Sequence, residues 1–324
     1  MIQHPYFYTF NQYLRDTFPF KVYKIPIDAG FTCPNWDGTK AHGGCTYCSN
    51  ESFSPGSRGN RVPIREQIQR GIDFYREKRK AKKFIVYFQA YSNTYAPVAT
   101  LKSLYDEATS IPDVIGLSIG TRPDCIDEEK IELISSYRDK GLTVWVEYGL
   151  ESMNNETLAR INRADTFEDF QRAVEITKPK KLPICAHMIL GLPGDTYPMM
   201  IESAKVLAGM DLQGIKIHHL YVAPKTVMAQ QYQRGEIPVM SLDEYIPLLC
   251  DFLELLPPKM VIQRLMGELF GEYCIAPNWG LTKAQVIERI EKEFQNRGTR
   301  QGSKYSYQPS AIRRQPTADS HFYV

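Results

Sequence analysis

The chain has 324 residues, with 39 Lys and Arg against 37 Asp and Glu, so its formal net charge is +2. This near-balance excludes a strongly polyanionic or polycationic protein, and 43% hydrophobic with 23% charged residues excludes a largely disordered one. Because no apolar run approaches the ~20 residues that cross a bilayer, and the first residues lack the features of a signal peptide, we expect a cytoplasmic protein without membrane association.

Short apolar runs alternate with amphipathic helical patterns between about residues 20 and 225. The runs are nearly continuous, which is typical of parallel strands that are covered on both faces. The predicted strands are Lys21–Ile27, Phe84–Phe88, Val114–Ile119, Leu142–Tyr148, Pro183–Leu190 and Ile215–Val222. Six such βα units predict an α/β fold, an incomplete parallel (βα)6 barrel.

The same patterns divide the chain into four parts. Residues 1–19 are expected to form a helical lead-in, residues 20–225 the partial barrel, and residues 226–295 a small α+β C-terminal extension. Residues 296–324 contain five basic residues against Asp319 alone and are predicted to form a loosely ordered basic tail. The elements predicted in the extension are a helix over Leu242–Leu256, a strand near Met260–Arg264 and a charged helix over Lys283–Gln295.

Three of the seven cysteines, Cys33, Cys45 and Cys48, lie in a glycine-rich loop after the first predicted strand. Active sites of parallel barrels lie at this end of the strands. Three thiolates there can bind three irons of a cubane cluster and leave the fourth iron open to a small molecule, with Tyr47 shielding the cluster from water. Two alternatives stay open, a structural zinc site with His42 as the fourth ligand and three free buried cysteines.

The segment Cys45-Thr46-Tyr47-Cys48 resembles the Cys-x-aromatic-Cys ending of the radical S-adenosylmethionine (SAM) motif. Eleven residues separate Cys33 from Cys45, and this long gap resembles a bacterial subgroup similar to the radical SAM domain of the elongator catalytic subunit. The resemblance spans about residues 20–225. It implies an enzyme that reductively cleaves SAM at a [4Fe-4S] cluster to make a 5′-deoxyadenosyl radical, with a reductant protein such as flavodoxin or ferredoxin as its partner.

Later strand ends carry further motifs of this family. Arg122 lies in a Thr-Arg-Pro-Asp segment that resembles elongator-like enzymes, and Glu147 to Ser152 with the downstream Arg163 resembles the Glu-x-Gly-x-Gln-Ser stretch of the superfamily. The resemblance implies that Glu151 contacts the SAM ribose and Arg163 the SAM carboxylate. The SAM-site residues expected in this way, or from their polarity at a strand end, are Tyr47, Gln89, Ser92, Asn93, Arg122, Glu147, Glu151, Arg163, His187 and Gly191.

Some of these residues have a second interpretation. Gln89, Ser92 and Asn93 stand where the family usually has a Gly-Gly-Glu-like turn, and they also fit an ordinary polar loop. Glu147 lies inside an apolar strand, where an unpaired carboxylate is costly to bury. It is therefore either a site residue or the partner of a basic side chain of the barrel.

Three functions remain open at this stage. The elongator resemblance, together with basic residues and Tyr305 and Tyr307 in the tail, favours a radical SAM enzyme that modifies the wobble uridine of tRNA. The second possibility is the same chemistry on a small metabolite or a peptide. The third is a zinc-stabilised nucleic-acid-binding protein without catalysis, and the basic tail also fits a simple solubilising role.

Overall fold

The computed structural model describes residues 4–54, 62–267 and 271–306. Their seven strands form one sheet in which the order follows the chain and every neighbouring pair is parallel. The strands are β1 (Val22–Ile27), β2 (Lys83–Phe88), β3 (Val114–Thr121), β4 (Thr143–Glu151), β5 (Ile184–Leu190), β6 (Gly214–His219) and β7 (Val261–Arg264). The sheet curls into a half-barrel, which confirms the predicted α/β partial-barrel fold.

Eleven α-helices accompany the strands in the described residues. They are α1 (Phe10–Thr17), α2 (Asn50–Phe53), α3 (Ile64–Arg79), α4 (Val98–Thr109), α5 (Glu128–Asp139), α6 (Asn155–Arg160), α7 (Phe167–Thr177), α8 (Tyr197–Gly209), α9 (Val227–Gln233), α10 (Leu242–Leu255) and α11 (Lys283–Arg297). The apolar stripe of α3, for example, buries Ile64, Ile68 and Ile72 in the main core. No helix in the described ranges is long and apolar enough to span a bilayer.

The strand predicted near Met260–Arg264 belongs to the barrel and not to a separate extension. It is β7, which pairs in parallel with β6 through Gly214 with Val261 and Ile215 with Ile262. The sheet therefore has seven strands where the sequence predicted six. A four-residue edge strand buries too little apolar surface to show the continuous run that marks the other strands.

The first part of the predicted basic tail is firmly packed. The buried Glu254 of α10 accepts hydrogen bonds from Thr299 Oγ1 at 2.5 Å and pairs with Lys304 Nζ at 2.5 Å, and Arg297 pairs with Asp251 at 2.9 Å. Loose order was therefore a wrong prediction for residues 296–306, because acidic side chains of α10 bind these basic residues. Arg313, Arg314 and Tyr307 lie outside the described residues.

Candidate active site

A cavity that is open to solvent lies at the carboxyl ends of the strands. The cysteine loop and residues of β2 to β7, or directly after these strands, form its wall. The predicted site residues that line it are Cys33, Cys45, Tyr47, Cys48, Gln89, Arg122, Glu151, Arg163 and His187. The fold therefore brings all three loop cysteines and six of the ten expected SAM contacts to one place.

Hydrogen bonds fix the cysteine loop against the segment that follows α6. Asn35 Nδ2 donates to the carbonyl oxygens of Asn162 at 2.6 Å and Arg163 at 2.7 Å. Asn162 Nδ2 in turn donates to the Gly44 carbonyl at 2.8 Å. The cysteine thiols are thereby held in a fixed relation to Arg163.

The distances between the three thiols distinguish an iron–sulfur cluster site from a site for a single metal ion. Three sulfurs on one tetrahedral zinc lie about 3.8 Å apart. Among the described residues, the one set of three metal-ligating side chains within 4.8 Å of one another is Glu147, Cys185 and His187, so the loop thiols do not all lie that close. Each thiolate of a cubane binds a different iron, which suits the wider spacing.

His42 is the fourth ligand in the zinc alternative. Its exposed ring lies against Gly38, where an added Cβ would come within 2.4 Å of His42 Cε1. It does not line the cavity. The donor set therefore fits a cluster with three cysteine ligands better than a four-ligand zinc site.

The surroundings of Cys33 and Cys48 favour the protonated form of these two thiols. Burial raises the pKa of the Cys33 thiol. Burial, together with the neighbouring Cys45 and Cys33 thiols, raises the pKa of Cys48 to about 12. All three cysteines are free of disulfides, and metal binding would have to displace the protons of Cys33 and Cys48.

Arg163 is the cationic side chain beside the cysteines. Its Nη1 lies 3.8 Å from Cys45 Sγ, and its Nη2 donates to the Gly149 carbonyl at 2.5 Å. Its Nε lies 3.2 Å from the buried Asp165 carboxylate. One face of the guanidinium is thus anchored in the protein while the residue still lines the cavity.

Arg122 supports Arg163 from behind. Its guanidinium binds Asp124 through two hydrogen bonds of 2.8 and 2.9 Å, and its Nη1 donates to the Arg163 carbonyl at 2.7 Å. It also lies 3.3 Å from Asp165. Because these contacts occupy most of its donors, Arg122 positions Arg163 and has little capacity left for a bound carboxylate or phosphate.

Glu151 ends β4 in a left-handed backbone conformation, with φ of +67°. Gly149 makes room for it, since a Cβ there would lie 2.7 Å from Glu151 Oε1 and 2.9 Å from Arg163 Nη2. Burial raises the pKa of the Glu151 carboxyl to about 7, although the nearby Arg163 opposes this shift. The Glu151 and Arg163 side chains therefore both lie beside Gly149, near the end of β4.

Four expected SAM contacts do not line the cavity: Ser92, Asn93, Glu147 and Gly191. Ser92 Oγ accepts a hydrogen bond of 3.2 Å from the Arg122 amide, and Asn93 Nδ2 donates to a carbonyl at the end of β3 at 2.7 Å. Gly191 faces Met240, which an added Cβ would approach to 2.6 Å. Ser92 and Asn93 brace the loops around the site, and contact of these four residues with SAM stays a prediction.

Glu147 is instead the centre of a polar network below the cavity. It is fully buried and accepts hydrogen bonds from Lys24 Nζ at 2.6 Å, Lys216 Nζ at 2.5 Å and Ser118, and it pairs with His187 Nε2 at 2.8 Å. Each of the seven strands contributes one member of this Glu147 network, namely Lys24, Tyr87, Ser118, Glu147, His187, Lys216 and Gln263. The second interpretation of Glu147, as the partner of a basic side chain, therefore describes the structure.

The charges within the Glu147 network set its protonation. Burial opposes ionisation of Glu147, but Lys216 and Lys24 outweigh it and hold the pKa of the carboxyl well below its usual range. Burial and Lys216 lower the pKa of His187 to about 4, so its imidazole is neutral. Two ammonium groups already neutralise Glu147, which disfavours a metal ion between Glu147, Cys185 and His187.

Sequence reasoning missed several residues of the cavity wall. They are Trp36, Asn50, Tyr87, Tyr91, Gly120, Thr121, Gly149, Ile189, Lys216, Tyr221 and Arg264. Lys216 carried a readable signal, because it interrupts an apolar strand in the same way as Glu147. Arg264 carried none, since β7 was not recognised as part of the barrel.

Comparison with known proteins identifies the family. A model of the radical SAM superfamily matches residues 39–207, and one of the radical SAM C-terminal domain matches residues 212–296. The Bacillus subtilis protein YtqA is 40% identical over 297 residues, which are 91% of this chain and 92% of YtqA. The tRNA uridine(34) acetyltransferase of Methanocaldococcus infernus is 25% identical over 189 residues, which are 57% of this chain and 34% of that protein.

A solved structure shares the fold. The archaeal Methanocaldococcus infernus Elp3 with residues 1–46 deleted superposes with a TM-score of 0.62 at 18% identity, over 86% of this chain and 64% of that one. At this identity the likeness concerns the fold alone, whereas the family match spans more than half of the chain. The chain therefore belongs to the radical SAM superfamily, as an enzyme whose cofactors are a [4Fe-4S] cluster and SAM.

Proposed function

We propose that Cys33, Cys45 and Cys48 bind the cluster and that the enzyme acts on the wobble uridine of tRNA. The observation that carries the first part is the meeting of three unpaired thiols and the anchored Arg163 in one cavity at the carboxyl ends of the strands. With three cysteine ligands, one iron is left for the amino and carboxylate groups of SAM.

Cys33, Cys45 and Cys48 would hold a cluster that, when bound, would supply the electron for reductive cleavage of SAM. Arg163 can pair with the carboxylate of SAM, because its guanidinium lies beside Cys45 Sγ and lines the cavity. Glu151, with a pKa of about 7, can accept from the ribose hydroxyls or donate to them. Tyr47, Gln89 and His187 complete the proposed SAM site and exclude water from it.

Two observations support tRNA as the substrate. The relative named tRNA uridine(34) acetyltransferase is similar over 57% of this chain. The cavity wall also carries Arg264, which has no carboxylate within 4.0 Å among the described residues, whereas Arg122, Arg163 and Lys216 are paired with Asp124, Asp165 and Glu147. An electropositive cavity attracts a polyanion such as RNA.

The test compares modified nucleosides in tRNA from cells with and without the gene, by liquid chromatography and mass spectrometry. We expect deletion to remove one modified uridine. A plasmid copy of the wild-type gene should restore it and a Cys45→Ala copy should not. Identical nucleoside profiles with and without the gene would exclude tRNA modification and would favour a small metabolite or a peptide as the substrate.

Radical SAM enzymes need a reductant. We propose a flavodoxin or a ferredoxin in this role, since one-electron carriers of this kind match a one-electron chemistry. A reduced flavodoxin that supports 5′-deoxyadenosine formation in place of dithionite would support this choice. Failure of both carriers, with dithionite still active, would contradict it.

A further inference from the structure

The side of the cavity formed by β6 and β7 carries positive charge that the protein does not neutralise. Lys24, Lys216 and Arg264 lie there, and Glu147 is the one carboxylate that pairs with any of them among the described residues. Three positive charges against one negative charge leave an excess of two. Lys216 and Arg264 line the cavity, while Lys24 and Glu147 lie behind it.

Arg264 is the most exceptional member of this group. It ends β7, and the closest polar contact of its guanidinium is His218 Nε2, 3.5 Å from Nη1. Within the part of the chain that the structure describes, no carboxylate lies within 4.0 Å of it. Arg163, on the other side of the cavity, has Asp165 at 3.2 Å. A half-buried guanidinium without a counter-ion is costly, and an anionic group of a bound ligand would stabilise it.

His218 adds a second unsatisfied group at the same place. It lines the cavity beside Arg264, and its buried Nδ1 has no hydrogen-bond partner among the residues that the structure describes. Tyr87 and Tyr221 also line this side of the cavity, and Tyr87 Oη accepts from Lys216 Nζ at 2.8 Å. A fork of guanidinium donors, an ammonium group and a polar ring nitrogen thus converge on one part of the cavity wall.

We propose that Arg264, Lys216 and His218 form an anion subsite that takes a phosphate or carboxylate group of the substrate. The inference rests on the proposed function, because it places the substrate in the same cavity as SAM. The anion subsite is separate from the proposed SAM carboxylate site, since Arg163 and Glu151 come from β4 and the segment after it, and Arg264 and Lys216 from β7 and β6. It favours a substrate whose reacting part lies near an acidic group.

The test titrates the full-length, cluster-containing protein with sodium phosphate and, separately, with sodium acetate, by calorimetry at constant ionic strength. Both titrations are run with and without saturating SAM, so that anions at Arg163 are displaced in one arm. We expect Arg264→Gln to weaken binding of the preferred anion about tenfold, and Arg264→Lys to weaken it less. Arg172→Gln, which removes an exposed charge on α7 that is paired with Asp169, is the matched control and should bind as the wild type does.

The outcomes distinguish a phosphate group from a carboxylate group as the bound anion. They also distinguish failure of the anion subsite from failure of the proposed function. Tighter binding of phosphate than of acetate indicates a phosphate ester, and the reverse indicates a carboxylic acid. Equal affinities in wild type and Arg264→Gln, or binding of neither probe to the wild type, would overturn the anion subsite. Failure of the proposed function would show instead as an absence of 5′-deoxyadenosine from the wild-type enzyme, whatever the titrations give.

Discussion

The Glu147→Gln substitution should destabilise the fold strongly although it barely changes the shape of the side chain. Glu147 is fully buried and lies 2.6 Å from Lys24 Nζ and 2.5 Å from Lys216 Nζ. Glutamine removes the negative charge and leaves two buried or half-buried ammonium groups without a counter-ion. Removing one partner of a buried ion pair costs about 3–5 kcal/mol, so we expect a loss of that size in the free energy of unfolding.

Urea unfolding followed by circular dichroism measures this loss. Glu202→Gln is the matched control, because Glu202 pairs with Lys205 at 3.0 Å on the surface and both side chains are more than half exposed. Such a pair contributes about 0–1 kcal/mol. Adding Lys216→Met to Glu147→Gln should recover part of the loss, since it removes one unpaired charge. A cost below about 1 kcal/mol for Glu147→Gln, with no recovery in the double variant, would refute the reasoning.

The same network predicts a pH dependence of stability. The pKa of Glu147 is lower in the folded than in the unfolded protein. The ionised Glu147 therefore stabilises the fold at pH values above its unfolded pKa, and this stabilisation is lost as pH falls through its folded pKa. The pKa of His187 is lowered to about 4, so the unfolded chain takes up this proton first and stability already falls below about pH 6.5. The two contributions should appear as differences between wild type and the variants His187→Gln and Glu147→Gln, because Glu151, whose pKa is raised to about 7, changes stability with the opposite sign as pH falls. A difference in stability between wild type and His187→Gln that stays constant from pH 6.5 to 4 would contradict this assignment.

Three further predictions concern the site and the tail. Arg163→Gln should keep the iron and weaken SAM binding by about 1.5–3 kcal/mol, the range of a charge-assisted hydrogen bond, as measured by equilibrium dialysis; loss of iron would mean that Arg163 supports the cluster instead. His42→Ala should leave the metal content unchanged, because its ring lies against Gly38, whereas a zinc site with His42 as ligand would lose its metal. Neutralising Arg313 and Arg314 together should weaken tRNA binding and lower the salt slope by about 1 to 2, and an unchanged slope would reduce the tail to a solubility feature.

The predictable part of the fold and site follows from burial and from the order of motifs. Parallel strands buried on both faces are continuous apolar runs, so β1 to β6 are legible in the sequence. The cysteine loop is legible because three cysteines cluster after the first strand, whereas Arg163 is identified only through the resemblance to the superfamily motif. Their meeting in one cavity follows from the parallel sheet, which places the carboxyl ends of all strands at one edge.

The rest depends on partners that are distant in the sequence. Ser92 and Asn93 stand at a strand end, but their direction is decided by Arg122 and by a carbonyl about 30 residues away in β3. The residues next to Lys304 in the sequence indicate a solvated tail residue. The pairing of Lys304 with Glu254 follows from the packing of this segment against α10, which the local sequence does not show. Local sequence gives the type of a charged residue, and tertiary packing decides whether its charge faces solvent, ligand or an opposite charge.

The central claim is that Cys33, Cys45 and Cys48 hold the cluster at which SAM is cleaved. The most direct measurement quantifies 5′-deoxyadenosine and methionine after anaerobic incubation of the reconstituted, dithionite-reduced protein with SAM, alongside its iron content. Wild type and Cys274→Ala, a cysteine that does not line the cavity, should contain iron and form both products. Each of the variants Cys33→Ala, Cys45→Ala and Cys48→Ala should form neither. Undiminished product formation by any of these three variants, or a colourless wild-type protein with stoichiometric zinc, would contradict the account.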